Sequence, residues 1–301
     1  MEKIQIVVLS RDRPEYLKEA IDSILMQTQN TFELIVSDNS EGGEVLHMLS
    51  KNYRAGDFNI IRRNPPLSSK EHFQAIISEL TAEYAVLFHD DDIMHPDYVK
   101  SMCKFLLKRK GVSAVGCGAF EFESAHDLHG VDLTRSHNPL QRFSDKKDFL
   151  SRYLPGNGKI APFPSYMYKT EKLQRIKFSS LSSGKYSDVV LLSSLLDYGE
   201  IFWLPDVLIF YRRHNANDSN FQNIAGLIEL SNYMSKNGLQ KSQDSMLLFR
   251  FSFWLNWFAT EKISNVFSWR NRVVFKFLLL SFFRLLNKRI LWTAALKKTK
   301  K

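Results

Sequence analysis

The sequence has few of the residues that mark secreted, fibrous or membrane-spanning chains. Only two of its 301 residues are cysteines, Cys103 and Cys117, and both lie in apolar surroundings without a CxxC motif. They are therefore expected to be free thiols in the core of a cytoplasmic protein. Thirteen glycines and nine prolines are too few for a collagen or a low-complexity chain.

Long apolar runs are also missing. No uninterrupted run reaches about 18 residues, so no transmembrane helix is predicted. The short apolar run that ends at Leu9 is followed at once by charged residues, which does not fit a signal peptide. With 44% hydrophobic and 24% charged residues, the chain has a globular composition and enough apolar residues for a sizeable core.

Positive charge is concentrated in one part of the chain. The formal net charge is +9, from 41 basic and 32 acidic residues. Eleven basic residues and no acidic one lie between Lys262 and Lys301, which leaves the first 261 residues close to neutral. An asymmetry of this kind is typical of chains that bind nucleic acid or an anionic membrane surface.

The first half of the chain alternates between apolar strand-like runs and helical segments. Strands are predicted at 4–9, 32–37, 58–62, 84–88 and 114–117, with helices at about 14–27, 69–80 and 97–110 between them. Farther on, we expect a helix over 187–198 and strands at 201–203 and 207–212. Asp12, Pro14 and Glu15 are expected to begin the first helix as cap, first-turn proline and capping-box acid.

Polar residues follow three of these strands at the point where each one ends. They are Ser10 with Arg11, Asp38 with Asn39, and the run from His89 to Asp92. Alternating strands and helices predict a mostly parallel sheet, and ligands of such sheets bind at the carboxyl ends of the strands. The sequence therefore predicts a ligand site at this edge.

Three consecutive aspartates, Asp90 to Asp92, repel one another unless something compensates their charge. A divalent cation such as Mg²⁺ or Mn²⁺ does so, together with substrate phosphates. The alternative is a solvated acidic loop that caps the helix after Pro96.

Together these segments resemble family 2 glycosyltransferases, which have the GT-A fold. The resemblance covers roughly residues 4 to 220, and its segments, in the order of the family, are IVVLSRDRPEYLKEAIDSILMQT, FELIVSDNS, YAVLFHDDDIMHPDYV, SGKYSDVVLL and YRRHNANDSN. It implies an α/β fold, a Rossmann-like and mostly parallel sheet flanked by helices, with a nucleotide-sugar donor and Mn²⁺ or Mg²⁺ as cofactor.

The resemblance also implies roles for residues that bind the donor. Ser10 and Arg11 would contact the nucleoside, and Asp38 would accept a hydrogen bond from the base. The family's DxD motif falls on residues 89–91, where histidine replaces the first acid. Asp90 would contact the ribose and Asp91 would bind the metal, whereas His89 has no assigned role and Asp92 is assigned to the support of the loop.

Further roles follow for the later motifs. The resemblance makes Asp188 the general base of a single displacement with inversion, although Ser187 stands where the family usually has a second acid, and a plain helix cap is the alternative. His214 would reach the metal or the diphosphate, unless it belongs to a surface turn. Arg212 or Arg213 would neutralise the leaving diphosphate.

The last part of the chain is both basic and aromatic. Thirteen of the 39 aromatic residues lie in 249–292, and four basic residues there repeat at a spacing of four, interrupted by Leu280: Arg272, Lys276, Arg284 and Lys288. This pattern predicts an amphipathic helical tail on an anionic membrane surface. Packing on the catalytic domain or on a second subunit, as in a homodimer, is the alternative. Nucleic acid is disfavoured because the aromatic residues lie among Leu, Ile and Val.

The complete hypothesis is an inverting, metal-dependent hexosyl- or deoxyhexosyltransferase that is peripheral on the cytoplasmic face of the membrane. Residues 1–235 form its catalytic domain (1–118 for the nucleotide sugar, 119–235 for the acceptor), and 236–301 form the tail. The resemblance implies a donor with uracil as its base, as in most relatives, and CDP- and dTDP-sugars are the alternatives. The acceptor is expected to be a lipid-linked glycan of O-antigen, lipopolysaccharide or capsule synthesis.

Two rival functions stay open from the sequence. A sugar-1-phosphate nucleotidylyltransferase also binds Mg²⁺ with aspartates on an α/β sheet, but it usually has a glycine-rich loop where residues 9–13 contain no glycine. The other rival is a non-catalytic, membrane-docked scaffold with a vestigial sugar-nucleotide pocket, an alternative that His89 in the metal motif keeps open.

Overall fold

In the computed structural model of the chain, the described residues are 3–123, 139–154, 160–177, 186–214 and 224–239. They belong to two compact units. The first unit comprises 1–144, 160–181 and 194–217, and the second comprises 145–159, 182–193 and 218–301. The predicted boundary at residue 235 stays a prediction, because residues 240–301 of the basic tail lie outside the described residues.

The first unit is built on one mixed sheet. Its strands are β1 (Ile4–Ser10), β2 (Glu33–Asp38), β3 (Asn59–Arg62), β4 (Tyr84–His89), β5 (Ile93–Met94), β6 (Val112–Phe122), β7 (Gln141–Phe143), β8 (Met167–Lys169) and β9 (Glu200–Arg212). They are ordered β3-β2-β1-β4-β8-β6-β9-β5, and β7 pairs with β9 outside this path. The first four strands along this path are parallel, as predicted, whereas β8 is antiparallel to both of its neighbours.

The helices of the first unit are α1 (Pro14–Leu25), α2 (Glu44–Asn52), α3 (Ser69–Glu79), α4 (Tyr98–Leu106) and α6 (Thr170–Leu173), whereas α5 (Lys146–Ser151), α7 (Ser187–Ser194) and α8 (Ile224–Lys236) belong mainly to the second. The amphipathic helix α1 buries Leu17, Ile21 and Ile24. These side chains share one apolar core with Val8 and Phe88 of the parallel strands. Burial of this apolar surface, at about 25 cal/mol per Å², is the main stabilising contribution.

The register of the parallel strands aligns their carboxyl ends. Ser10 of β1 is paired with Asp38 of β2, and Leu9 is paired with His89 of β4. Because parallel strands end at the same edge, the polar residues that follow them are brought to one side of the sheet.

The second half of the sheet differs from the prediction. The two expected late strands are one strand, β9, which pairs with β6 through register shifts near Gly116 and Gly118. A Cβ atom added to Gly116 would lie 2.9 Å from the Tyr166 ring, so the glycine permits a close approach. The phenol oxygen of Tyr166 accepts a 2.6 Å hydrogen bond from Nε1 of the buried Trp203.

The described part of the second unit consists mainly of the helices α5, α7 and α8. The carboxylate of Asp145 accepts a hydrogen bond from the amide of Asp148 and caps α5. Ser193 on α7 and Tyr233 on α8 have their hydroxyl oxygens 3.0 Å apart. Among the helices of the described ranges, none combines the length and the apolar character that crossing a bilayer requires.

Candidate functional site

Every predicted strand-end residue of the first unit lies at the same edge of the sheet. Ser10, Asp38 and Asp90 are buried there, and the main chain of Asn39 donates a 2.9 Å hydrogen bond to the Ser10 carbonyl. The Ser10 hydroxyl is buried and has no hydrogen-bond partner among the described residues. A buried hydroxyl without a partner is costly, which favours a ligand at this position.

Asp38 is fully buried and its carboxylate is already engaged. One oxygen accepts a 3.0 Å hydrogen bond from the Ser40 amide, and the other pairs with the guanidinium of Arg62. Arg62 also donates to the Gly42 carbonyl at 2.7 Å and holds the loop after β2 against β3. A base that binds Asp38 must therefore share it with Arg62 or displace it.

The turn after β1 is fixed by its own side chains. Asp12 has a positive φ of 56°, its amide donates to the Ser40 hydroxyl at 2.8 Å, and its carboxylate accepts from the Glu41 amide at 3.0 Å. The expectation that Asp12 caps α1 is thus wrong, because its side chain binds the neighbouring loop; Arg13 occupies the cap position without a side-chain hydrogen bond.

The acidic loop, defined here as Asp90–Asp92, lies beside this turn. The Arg11 amide donates to Asp90 Oδ2 at 2.9 Å, so the main chain, rather than the side chain, of Arg11 makes this contact. Arg13 donates to Asp91 Oδ2 at 2.7 Å and lies 3.4 Å from Asp90 Oδ1. Arg13 is therefore a cation of the site that the sequence analysis did not assign.

The three carboxyl groups of the acidic loop differ in the direction of their pKa shifts. Burial raises the pKa of Asp90 to about 7, against the hydrogen bond from Arg11. Burial also raises the pKa of Asp92 well above its usual value, and the charge of Asp91 adds to this effect. Burial alone would also raise the pKa of Asp91, but the contacts and charges of His89, His214 and Arg13 together lower it. Asp91 is therefore the carboxyl group of the loop that ionises most readily.

A candidate cation site is formed by this loop together with His89, the last residue of β4. One ligand atom from each of His89, Asp91 and Asp92 lies within 4.8 Å of the others. Asp92 Oδ2 is buried without a hydrogen-bond partner and lies 3.6 Å from Nδ1 of His89. Two carboxylates and an imidazole suit a hard divalent cation such as Mn²⁺ or Mg²⁺, so the residues fit the predicted cofactor.

The end of β9 reaches the same loop. Nε2 of His214 lies 3.0 Å from Asp91 Oδ2, beside the metal motif. That His214 reaches the metal or the diphosphate stays a prediction. Arg212 is 3% exposed, and its guanidinium pairs with Glu19 of α1. The side chain of Arg213 is 64% exposed, and its Nη1 lies 3.4 Å from Glu121 Oε2.

Asp188 belongs to the second unit, where it lies half-buried in the first turn of α7. Its role as the general base stays a prediction. Burial raises the pKa of the neighbouring Tyr186 to about 12, with a further contribution from the charge of Asp188.

Sequence reasoning missed several residues of the site. Arg62 ends β3 at the same edge, so the strand-end rule that identified Asp38 also identifies it. Arg13 lies within the first motif of the resemblance, but the sequence does not indicate which acidic residue pairs with it. For Glu19, in the middle of an amphipathic helix, the sequence contains no signal, because its partner Arg212 lies 193 residues away.

The sequence of this chain is similar to those of known glycosyltransferases. A family model described as Glycosyl transferase family 2 matches residues 5–176. Bifunctional glycosyltransferase pgtA of Dictyostelium discoideum is 33% identical over 104 residues, which are 33% of this chain and 13% of that protein. This chain thus spans only a small part of that relative's length.

Solved structures of TarS and of the mannosyltransferase PcManGT have a similar fold. S. aureus TarS 1-349 in complex with UDP-GlcNAc has a TM-score of 0.59 at 12% identity, over 88% of this chain and 75% of that one. The mannosyltransferase PcManGT from Pyrobaculum calidifontis, in complex with GDP-Man and Mn2+, has a TM-score of 0.55 at 12% identity, over 94% and 86%. At such low sequence identity, this structural similarity shows a shared fold, the GT-A fold, and nothing more specific.

Proposed function

Because the chain belongs to glycosyl transferase family 2, we propose that it moves a sugar from a nucleoside-diphosphate sugar to an acceptor hydroxyl, with inversion at the anomeric carbon. One observation carries this proposal. Asp38 at the end of β2 and Asp90 and Asp91 after β4 lie at one edge of the sheet within the first unit, where Asp38 pairs with Arg62 and Asp91 pairs with Arg13. Similar folds bind UDP-GlcNAc in TarS and GDP-Man in PcManGT.

The donor base is proposed to bind at Asp38, and its ribose at Asp90. The buried, unpartnered hydroxyl of Ser10 supports a nucleoside beside β1, where the Arg11 amide already holds Asp90. Arg62 supplies hydrogen-bond donors next to the carboxylate of Asp38. Uracil stays the proposed base because it is the base in most relatives of the family, and cytosine and thymine are the alternatives.

The diphosphate is proposed to lie against the acidic loop. His89, Asp91 and Asp92 would hold a divalent cation, with His214 beside Asp91. Such a cation neutralises negative charge on a leaving diphosphate. Arg13 and the exposed Arg213 are available to add positive charge, whereas the buried ion pair of Arg212 with Glu19 supports a different role for that residue.

Asp188 is proposed to take the proton from the acceptor hydroxyl as that oxygen attacks the anomeric carbon. The acceptor is proposed to be a lipid-linked glycan of cell-surface synthesis at the inner face of the membrane. The eleven basic residues and the aromatic residues of the tail support this choice, because that composition favours an anionic lipid surface.

The role of Asp188 is tested with Asp188→Asn in the full chain. We expect release of nucleoside diphosphate from UDP-, CDP- and dTDP-sugars, with a membrane lipid extract as acceptor, to fall about 100-fold or more. Affinity for the nucleotide should not change. Asp197→Asn, which changes an exposed acid, is the matched control. Loss of nucleotide affinity in Asp188→Asn, or unchanged release, contradicts the assignment.

A further inference from the structure

Arg212 joins three separate segments of the first unit. Its amide donates a 2.9 Å hydrogen bond to Asp92 Oδ1, and its Nε donates a 2.8 Å bond to the Asp91 carbonyl. Its Nη2 pairs with a Glu19 carboxylate oxygen on α1. The end of β9, the acidic loop and α1 are therefore connected through one side chain.

The surroundings of Arg212 fix the direction of its guanidinium. The carbon at its centre lies 4.6 Å from the ring centroid of Tyr16 and 4.5 Å from that of Phe122. Cations on aromatic faces are stabilised further when they are shielded from water, as this 3% exposed residue is. The planar guanidinium can satisfy the Asp91 carbonyl and Glu19 at once, which the single ammonium of a lysine cannot do in the same geometry.

Both contacts of Arg212 with the acidic loop act on the candidate cation ligands. The bond to the Asp91 carbonyl fixes the peptide that follows Asp91, and the bond to Asp92 Oδ1 leaves Oδ2 of that carboxylate without a hydrogen bond. His214, two residues after Arg212, then lies 3.0 Å from Asp91. One anchored residue thus orients ligands from two segments.

Glu19 balances the charge of this anchor. Without it, a buried guanidinium would remain beside the acidic loop, and the positive charge of Arg212 already acts on Asp92. The carboxylates of the loop would then be attracted to Arg212 in competition with a bound cation, because a buried charge left without its partner is strongly unfavourable.

We propose that Glu19 and Arg212 are positioning residues that hold the acidic loop in the arrangement that binds a divalent cation. Arg212 then serves the loop rather than the leaving diphosphate. This inference rests on the proposed function, specifically on the cation site of His89, Asp91 and Asp92.

Mn²⁺ binding to the full chain tests the inference. The affinity is measured by calorimetry in the presence of the nucleoside diphosphate, among UDP, CDP, dTDP and GDP, that the wild type binds. We expect Glu19→Gln and Arg212→Lys each to weaken Mn²⁺ binding about tenfold or more, which is usual for residues that orient metal ligands. Glu15→Gln, an exposed acid on the same helix, should bind Mn²⁺ as the wild type does.

Two further readouts separate positioning from general stability. The affinity of both variants for the nucleotide in EDTA should stay close to the wild-type value, whereas the thermal midpoint of metal-free Glu19→Gln should fall because Arg212 loses its buried partner. Unchanged Mn²⁺ affinity in both variants overturns this inference and leaves the proposed function in place. Absence of Mn²⁺ binding in a wild type that still binds nucleotide overturns the proposed cation site and this inference with it.

Discussion

His72 lies beneath the end of β2, next to the proposed base site. Its Nε2 is 2.8 Å from the Ser37 hydroxyl, which also accepts a 3.1 Å hydrogen bond from Arg63. Arg63 in turn pairs with both carboxylate oxygens of Glu79, at 2.7 and 2.6 Å. Burial lowers the pKa of His72 to about 4, and the nearby charge of Arg63 acts in the same direction.

This low pKa predicts acid sensitivity of the fold. In the unfolded chain His72 has a pKa of about 6.5, so between that pH and about 4 the unfolded chain binds a proton that the folded chain does not. The free energy of unfolding should therefore fall with decreasing pH in this range, by up to about 3 kcal/mol from this residue. Urea denaturation at several pH values measures it.

Substitution of His72 isolates this contribution. His72→Gln should be less stable than the wild type near neutral pH, but its free energy of unfolding should depend less on pH between about 4 and 6.5. His47→Gln, which changes an exposed histidine, should retain the wild-type dependence. Parallel pH profiles for His72→Gln and the wild type would show that His72 titrates normally in the folded state.

Asp38 is the residue on which base binding is proposed to depend. Asp38→Asn removes the charge that pairs with Arg62 and weakens the acceptor for a base N–H group. Because hydrogen bonds to charged groups contribute about 1.5–3 kcal/mol, nucleotide affinity should fall about tenfold or more. Asp57→Asn, at an exposed position, is the control in the same calorimetric titration. Equal affinities for Asp38→Asn and the wild type would remove Asp38 from the base site.

At the scale of elements, the sequence predicts the parallel half of the sheet better than the rest. Strands β1, β2 and β4 are continuous apolar runs that end in polar residues, so both their position and their functional edge were predictable. The two-residue strand β5 and the three-residue strand β8 are too short for any periodicity. Their pairing depends on distant β9 and β4, which no local pattern indicates.

The same distinction applies to the site. The acidic loop follows a strand and carries its own signal in three consecutive carboxylates. The ion pairs of Arg62 with Asp38 and of Arg212 with Glu19 join residues far apart in sequence, and only the packed elements bring them together. Local chemistry therefore predicted candidate ligand-binding residues, whereas only the packed structure shows which residues pair with them.

Helix α3 begins with a capping box that makes a separable contribution to stability. Ser68 accepts a hydrogen bond from the Glu71 amide, and the Glu71 carboxylate accepts from the Ser68 amide at 3.0 Å. Ser68→Ala should lower the free energy of unfolding by about 1 kcal/mol in chemical denaturation. Ser78→Ala, near the other end of the helix, should change it by less. An equal loss in the two variants would mean that the cap contributes nothing specific.

At the scale of the molecule, the charge is divided between a nearly neutral body and a basic tail. Residues 240–301 of the tail lie outside the described residues, and the association of the tail with a membrane stays a prediction. Each basic residue near an anionic bilayer contributes about 1 kcal/mol to binding. Replacement of the four basic residues at the spacing of four should therefore weaken binding to vesicles that contain anionic lipid by about 100-fold or more.

The variant for this test changes Arg272, Lys276, Arg284 and Lys288 to glutamine. Its matched control neutralises the same number of charges at exposed positions of the body, with Lys100, Lys104, Lys108 and Lys110 changed to glutamine. Cosedimentation with the vesicles should fall for the tail variant alone. If the control loses as much binding, the tail is not the specific anchor.

The most direct test of a nucleotide-sugar site at the acidic loop is calorimetric titration of the full chain. UDP, CDP, dTDP and GDP are each titrated with Mn²⁺ and with EDTA, into the wild type and into Asp91→Asn. We predict that the wild type binds one nucleotide more tightly with Mn²⁺ than with EDTA, and that Asp91→Asn loses this difference while it keeps the metal-independent binding. Absence of binding by all four nucleotides to the folded wild type would contradict the proposed function.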